Sequence, residues 1–184
     1  KYIRDVLKMN LATFYLQQAR IGEAQKILDA TNPVTIAKVD AQLKYFNLRA
    51  KVCSGLMLYD DAIEYAHEGL EEARINANHL RACELLTTLA GVYIEKESLD
   101  DAEQCIRDAV LLENLVNDKA VLATTHSTAA KVFLHRKDCE TAKLHAEKAR
   151  KIATGLNDKT RLVSSLIMLG DISREVEAYL EGLK

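Results

Sequence analysis

The sequence contains little of what turns and sheets are made from, since its 184 residues include one proline, seven glycines and no tryptophan. Alternating runs of β-branched and aromatic residues bounded by Asn-Gly or Gly-Pro turns are also absent, which excludes a sheet-based fold. Apolar residues nevertheless make up 48% of the chain, enough to bury a core, so a disordered chain is excluded as well. Ala, Leu, Glu, Lys and Gln are abundant, and this composition predicts an all-α protein.

An excess of charge of one sign is missing too, because 25 Lys and Arg residues stand against 27 Asp and Glu residues. Without a basic field to hold a phosphate backbone, we expect no nucleic-acid binding by this segment. No apolar run is long enough to cross a bilayer, and the first residues lack the pattern of a signal peptide. We therefore expect no membrane insertion and a cytoplasmic location.

Cysteine pairs are absent, since the four cysteines are scattered without a Cys-x-x-Cys motif. This spacing indicates buried thiols in a reducing compartment and not a disulfide framework. His135, Cys139 and His145 lie close in sequence, but they straddle a predicted turn, so helical spacing does not bring them together. We therefore predict no metal site and interpret Cys139 as a residue that packs at the turn.

Motifs of enzymes are also missing: no glycine-rich phosphate loop, no Gly-x-Ser-x-Gly elbow and no His-Glu-x-x-His pair occurs. The acid pairs Asp60-Asp61 and Asp100-Asp101 both open predicted helices. Negative charge stabilises a helix N-terminus by about 0.3 to 1 kcal/mol, which accounts for these pairs without catalysis. We predict that the chain is not an enzyme and binds no cofactor.

Internal repetition is the strongest feature that the sequence does contain. A column of small residues recurs at steps of about 40 residues and consists of Ala12, Ala50, Ala90, Ala130 and Gly170. The column three residues later is Tyr15, Cys53, Tyr93, Phe133 and Ser173. Twelve residues after the small column come Ala24, Ala62, Ala102, Ala142 and Gly182. These spacings predict pairs of short helices whose alanines let the two backbones approach closely.

The order small-x-x-aromatic and then Ala-x-x-x-aliphatic resembles the tetratricopeptide repeat (TPR), a helix-turn-helix unit with a period of about 34 residues. The resemblance covers the whole chain and is to long-period variants of about 40 residues, as in bacterial regulators and G-protein-regulator scaffolds. It implies an all-α, right-handed α-solenoid of antiparallel helix pairs, a TPR-like superhelix. The repeats of this single domain, 1–184, lie near 1–33, 34–78, 79–118, 119–158 and 159–184. The last repeat is incomplete, which indicates a fragment of a longer protein.

Polar residues at the repeat boundaries predict where the helices begin. The predicted N-caps are Asn78, Ser98, Asp118, Asp138 and Asp158. Asn32-Pro33 is expected to end the second helix, because proline disfavours helix in the residue before it. The predicted helices are 1–18, 20–31, 34–56, 59–76, 79–96, 99–116, 119–136, 139–156, 159–175 and 177 onward.

The groove-facing side of the first helices is the predicted binding surface. Its amide and hydroxyl groups suit the main chain of an extended peptide, and its lysines can hold a carboxylate. The candidate residues are Asn10, Thr13, Gln17, Asn47, Lys51, Thr87, Thr88, Glu95, Ser127, Lys131, His135, Asp171 and Arg174. For any one of them, a solvated helix face is the alternative interpretation.

The TPR family has a well-known dicarboxylate clamp built from lysine and asparagine on three successive first helices. This chain has Met9, Thr13, Leu48, Glu84 and Thr88 at those positions, so a receptor for acidic chaperone tails is not predicted. We predict a non-catalytic scaffold whose partner is a protein or peptide.

Two alternatives remain open. The chain can be the sensor or regulatory segment of a larger bacterial signalling or transcription-regulator protein, with an output domain outside the sequence. It can also self-associate through its C-terminal end, where Tyr179, Leu180 and Leu183 are the apolar residues concerned.

Overall fold

The computed structural model describes residues 2–36 and 38–182, and the regular structure within these residues is helical throughout. Nine α-helices occur in this part of the chain: α1 (Tyr2–Gln17), α2 (Ile21–Asp29), α3 (Val39–Gly55), α4 (Tyr59–Ile75), α5 (His79–Glu95), α6 (Leu99–Leu111), α7 (Lys119–His135), α8 (Cys139–Gly155) and α9 (Lys159–Gly182). Single 3₁₀ turns at Pro33–Thr35 and Glu113–Leu115 follow α2 and α6. No helix of the described residues is long and apolar enough to span a membrane.

The helices form a stack in which each one contacts its successor in the chain. Each odd-numbered helix from α1 to α7 also contacts the next odd-numbered helix, so these helices build one continuous layer. The arrangement is a helical-repeat-like all-α fold. It follows from the sequence period, because each pair of helices can cover its apolar face only against its neighbours.

The alanine columns form the closest packing in this stack. Ala50, Ala90 and Ala130 in the odd-numbered helices have no exposed surface, and the same holds for Ala62 and Ala102 in the even-numbered ones. The larger side chains pack around this seam. Fully buried examples are Leu43, Leu85, Leu89 and Ile106, each contributing about 1.5 to 3 kcal/mol through burial.

Six of the turns between helices share one geometry, in which a single non-glycine residue adopts a positive φ. These residues are Ala19, Met57, Ala77, Glu97, Lys137 and Asn157. At Glu97, for example, the amide of Ser98 donates to the carbonyl of Tyr93 at 2.9 Å, while the Glu97 amide donates to Ile94 at 3.0 Å. This pair of bonds is the Schellman motif, which normally has glycine at the left-handed position. Its formation without glycine explains how the chain turns despite having so few glycines.

The predicted helix starts are confirmed at all five positions, and four of the five residues also cap the helix with their side chains. The side chains of Asn78, Asp118, Asp138 and Asp158 accept hydrogen bonds of 2.8 to 3.2 Å from the backbone amides of the second or third residue of the following helix. Ser98 occupies the N-cap position of α6 as predicted, but its hydroxyl makes no capping bond, so the prediction is wrong only in that bond.

Three predicted helix boundaries are also wrong. The helix predicted for 34–56 begins only at Val39, because Asn32 accepts a hydrogen bond from the Val34 amide at 3.0 Å and starts a 3₁₀ turn instead. The helix predicted for 99–116 ends at Leu111, and Val116 turns inward and is buried in extended backbone. No break occurs at residue 176, since α9 runs on to Gly182 and the fifth pair is a single helix in the described residues.

Candidate functional site

A depression of about 550 Å³ lies on the layer of odd-numbered helices. It is lined from α1 by Thr13 and Gln17, from α3 by Lys51 and Ser54, from α5 by Glu84, Thr87, Thr88, Gly91, Val92 and Glu95, from α7 and its N-cap by Asp118, Ala120, Val121, Thr124 and Thr128, and from α9 by Arg161. Each odd-numbered helix thus contributes to one surface, which we call the groove.

The groove is continuous because its residues repeat with the same period as the alanine seam. Thr88 and Thr128 are 40 residues apart, as are Glu84 and Thr124. Residues in one column of a repeat face the same direction in successive units, so a hydroxyl in one helix is followed by a hydroxyl in the next. The spacing from the predicted residue Thr88 could have identified Thr128, whereas Thr124 corresponds to Glu84, which was not predicted to bind a ligand.

Six of the thirteen predicted binding residues line the groove: Thr13, Gln17, Lys51, Thr87, Thr88 and Glu95. A second depression, of about 320 Å³, shares Gly91, Glu95 and Thr128 with the groove and continues it toward α9. Lys131, His135 and Asp171 line this extension. The remaining four residues, Asn10, Asn47, Ser127 and Arg174, line neither depression.

Asn47 differs most from its predicted role, because only 4% of its surface is exposed. Its side-chain oxygen accepts a hydrogen bond of 2.7 Å from the Thr88 hydroxyl. The same hydroxyl lies 3.0 Å from the Glu84 carbonyl, so its single proton is shared between the two acceptors. Asn47 therefore joins α3 to α5 behind the groove and does not offer its amide to a ligand.

Thr87 is the second predicted residue with a packing role, since 8% of its surface is exposed. Its hydroxyl lies 2.9 Å from the hydroxyl of Thr125 and 2.8 Å from the Cys83 carbonyl. The pair links α5 to α7 through buried hydroxyl groups. Elsewhere, Asn10 accepts a bond of 2.8 Å from Lys44, and Arg174 forms an ion pair with Asp171 on its own helix.

An ion-pair cluster between α3 and α5 lies beside the groove and holds Glu84, one of the acidic residues that line it. Arg81 donates to both carboxylate oxygens of Asp40, at 2.8 and 2.9 Å, and its guanidinium lies 2.6 Å from Glu84. The hydrogen bonds from Arg81 lower the pKa of Asp40. Glu84 lines the groove, but Arg81 compensates its charge.

Lys51 has a different environment from Arg161, the other basic residue that lines the groove. Its side chain is exposed to solvent. Because it lies in a concave surface, protein atoms nevertheless surround it on several sides. This crowding lowers the pKa of Lys51, and repulsion from Arg81 and Lys44 acts in the same direction, while Glu84 opposes it. Lys51 makes no hydrogen bond or salt bridge with any residue that the structure describes. Because the side chain is exposed to solvent, a ligand in the groove can reach the ammonium group.

Metal-binding and nucleophilic groups do not converge in the part of the chain that the structure describes. No group of three His, Cys, Asp or Glu residues there has the arrangement of a metal site. The four cysteines are free, and burial raises the pKa of Cys105 to about 11, which leaves an unreactive thiol. His145 contacts His126, with their Nδ1 atoms 3.0 Å apart, and not His135 or Cys139.

The C-terminal residues proposed for self-association can be placed only in part. Leu180 lies in the last turns of α9 with about half of its surface exposed. Leu183 and the side chain of Tyr179 lie outside the described residues.

Comparison with known proteins identifies a fold and no family. No protein-family model matches the chain, and no curated protein matches it. Among solved structures, the chain is similar to the crystal structure of BtubC (BKLC) from P. vanneervenii, with a TM-score of 0.71 and 16% sequence identity. The similarity covers 91% of this chain and 70% of that one. At this identity it supports the fold alone, a helical-repeat-like arrangement without strands in the described residues.

Proposed function

We propose that this chain is a non-catalytic scaffold of the TPR type, a right-handed solenoid of antiparallel helix pairs that holds a peptide or an extended segment of a partner protein. The observation that carries the proposal is the groove itself, because all five odd-numbered helices line one depression. A surface that crosses five helices suits an elongated ligand better than a compact small molecule.

The lining groups of the groove support a peptide as the ligand. Hydroxyl groups of Thr88 and Thr128 and the amide of Gln17 can bond to the main chain, while Val121 offers apolar contact to side chains. These residues sit on packed helices, so the free protein already holds the surface in shape. Preorganisation of this kind lowers the entropic cost of binding an extended chain.

Gly91 provides a direct test, because it lines the groove and a Cβ atom built on it meets no atom within 4 Å. Replacing Gly91 with Tyr should fill the groove without a clash at the backbone. Since glycine is a poor helix former, the variant should be as stable as the wild-type protein or slightly more stable. Peptides selected on the wild-type protein from a random twelve-residue display library should lose binding to Gly91→Tyr by at least about tenfold in fluorescence anisotropy, about 1.4 kcal/mol.

Gly22 offers a matched control. It is exposed on α2, does not line the groove, and its built Cβ atom also meets nothing within 4 Å. Gly22→Tyr should bind the selected peptides as the wild-type protein does. The proposal fails if no peptide is selected, or if Gly91→Tyr binds the selected peptides unchanged.

A further inference from the structure

We propose that Lys51 recognises an acidic side chain, so that the ligand of the groove is an extended peptide with an internal Asp or Glu. The inference rests on the proposed function and specifies the chemical class of the ligand. It starts from a cation in the groove that the protein leaves without a partner.

The other basic side chain lining the groove is compensated within the protein. Arg161 forms an ion pair with Asp158, and Arg81, beside the groove wall, binds Asp40 and Glu84. Lys51 has no such partner among the described residues. Of the two cations that line the groove, it alone has an ammonium or guanidinium group free to bind a ligand.

Apart from Lys51 itself, the charges around this position cancel, because the cations Lys44 and Arg81 stand beside the anions Asp40 and Glu84, and the ammonium group of Lys51 is the charge left over. Its electrostatic neighbours are the cations Lys44 and Arg81 and the anion Glu84, which Arg81 already engages. Lys44 donates to the neutral side chain of Asn10 and gains no compensating charge there. An ammonium group that is crowded by protein and has no counter-charge of its own is destabilised, and an anion placed next to it relieves that cost.

Uncharged donors line the groove on both sides of this cation. Ser54 lies one helical turn after Lys51 on α3, and Gln17 lines the same depression from α1. Neither side chain bonds to another described residue, so both remain available. Lys51, Ser54 and Gln17 together present one charge and neutral hydrogen-bond donors, a set that suits a carboxylate better than a dianionic group.

The position of Lys51 favours a side chain over a peptide C-terminus as the source of the carboxylate. The groove extends past Lys51 to α1 on one side and to α5, α7 and α9 on the other. A peptide that fills the groove must therefore pass over Lys51 and continue. Only an internal acidic residue places a carboxylate there while both ends of the peptide remain in contact.

Three degenerate pools of twelve-residue peptides test this inference. The first is acetylated and amidated at its ends with Glu fixed at a central position, the second is identical with Gln fixed instead, and the third has the central Gln and a free C-terminal carboxylate. The wild-type protein should bind the Glu pool about tenfold more tightly than either Gln pool. In Lys51→Met this preference should disappear, whereas Lys51→Arg should retain it.

Lys131→Met is the control, because this exposed lysine lines the extension of the groove and not the groove itself. It should keep the preference for Glu, and melting curves should show that all three variants are folded. Equal binding of the Glu and amidated Gln pools would overturn the inference while leaving a peptide-binding groove. A preference for Glu that survives in Lys51→Met, or a free-carboxylate pool that binds as well as the Glu pool, would also overturn it. Absence of binding by every pool and every displayed peptide would refute the proposed function as well.

Discussion

The Nδ1 atoms of His126 and His145 lie 3.0 Å apart, which joins α7 to α8 through two imidazole rings. A neutral imidazole has one N–H group, so one ring must donate and the other accept. The fully buried Nε2 of His126 lies 3.5 Å from a carboxylate oxygen of Glu113, a long contact that still favours an N–H there. We therefore assign the Nε2–H tautomer to His126, which leaves its Nδ1 to accept from His145.

Acidification should destabilise the protein through this histidine pair. Burial lowers the pKa of His145 from 6.5 to about 4, and His126 and Lys148 act in the same direction while Glu113 opposes them. The unfolded chain then binds the proton more readily than the folded one, so stability is complete above about pH 6.5 and falls as the pH decreases toward 4. We expect a loss of about 1 to 3 kcal/mol in the free energy of unfolding, measured by urea denaturation between pH 7 and 4.5.

Other charged groups lie near the pair, so a variant is needed to isolate the effect of the histidines. Glu113 and Lys148 face the pair, and α6 contributes Glu103, Arg107 and Asp108 to the depression that His145 lines. Replacing His126 with Leu, the residue at the equivalent position 86, and His145 with Phe removes both imidazoles. As the pH decreases from 7 to 4.5, the free energy of unfolding of this variant should fall less than that of the wild-type protein. Parallel curves for the two proteins would show that the pair does not cause the pH dependence.

The sequence period predicted the buried seam but could not reveal this pair. Position 126 lies 40 and 80 residues after the buried Leu86 and Phe46, so burial of the position follows from the repeat. Its partner Glu113 reaches it only because α6 ends at Leu111 and a 3₁₀ turn follows. That local departure from the repeat accompanies the burial of Val116, and no periodic pattern encodes it.

In the groove, too, the sequence period predicts which helices form the layer but not how each side chain on them is oriented. Helical spacing placed Thr13, Lys51 and Thr88 on the correct layer, and they line the groove. Asn47 is on the same helix as Lys51, yet a small difference in angle around the helix axis directs it toward Thr88 and into the interior. Whether a polar residue at the edge of a face meets solvent or the next helix depends on how the helices are rotated, and sequence alone leaves that angle open.

Replacing Asn47 with Ala should therefore lower stability although the residue was predicted to bind a ligand. The change removes the hydrogen bond from Thr88 and leaves a small space between α3 and α5, at a cost of about 1 to 2 kcal/mol. Thr88 keeps its bond to the Glu84 carbonyl, which limits the loss. Gln17→Ala, at a groove residue without a protein partner, should melt as the wild-type protein does. Equal melting temperatures for the two variants would contradict the structural role of Asn47.

Enlarging the alanine seam should also be destabilising. Ala102 has no exposed surface and packs in a cluster with Ala90, Ala130 and Ala142. Leucine at this position must push α5, α6 and α7 apart, which costs about 1 to 3 kcal/mol. Chemical denaturation should show this loss for Ala102→Leu and almost none for Ala178→Leu, where the alanine is exposed on α9. A normal stability for Ala102→Leu would mean that the helices are not in closest contact there.

Glycine at a left-handed turn should stabilise the protein, in contrast to glycine within a helix. Glu97 has a φ of 62°, a conformation that costs a residue with a Cβ atom about 1 kcal/mol and costs glycine almost nothing. Glu97→Gly should therefore raise the free energy of unfolding by about 0.5 to 1 kcal/mol, even though glycine makes the unfolded chain more flexible. Glu64→Gly removes the same exposed side chain from the middle of α4 and should lower it by about 1 kcal/mol. Because the two variants lose the same charge and the same side chain, opposite signs in urea denaturation isolate the backbone conformation as the cause. A loss of stability in both would show that the turn at Glu97 does not depend on a left-handed residue.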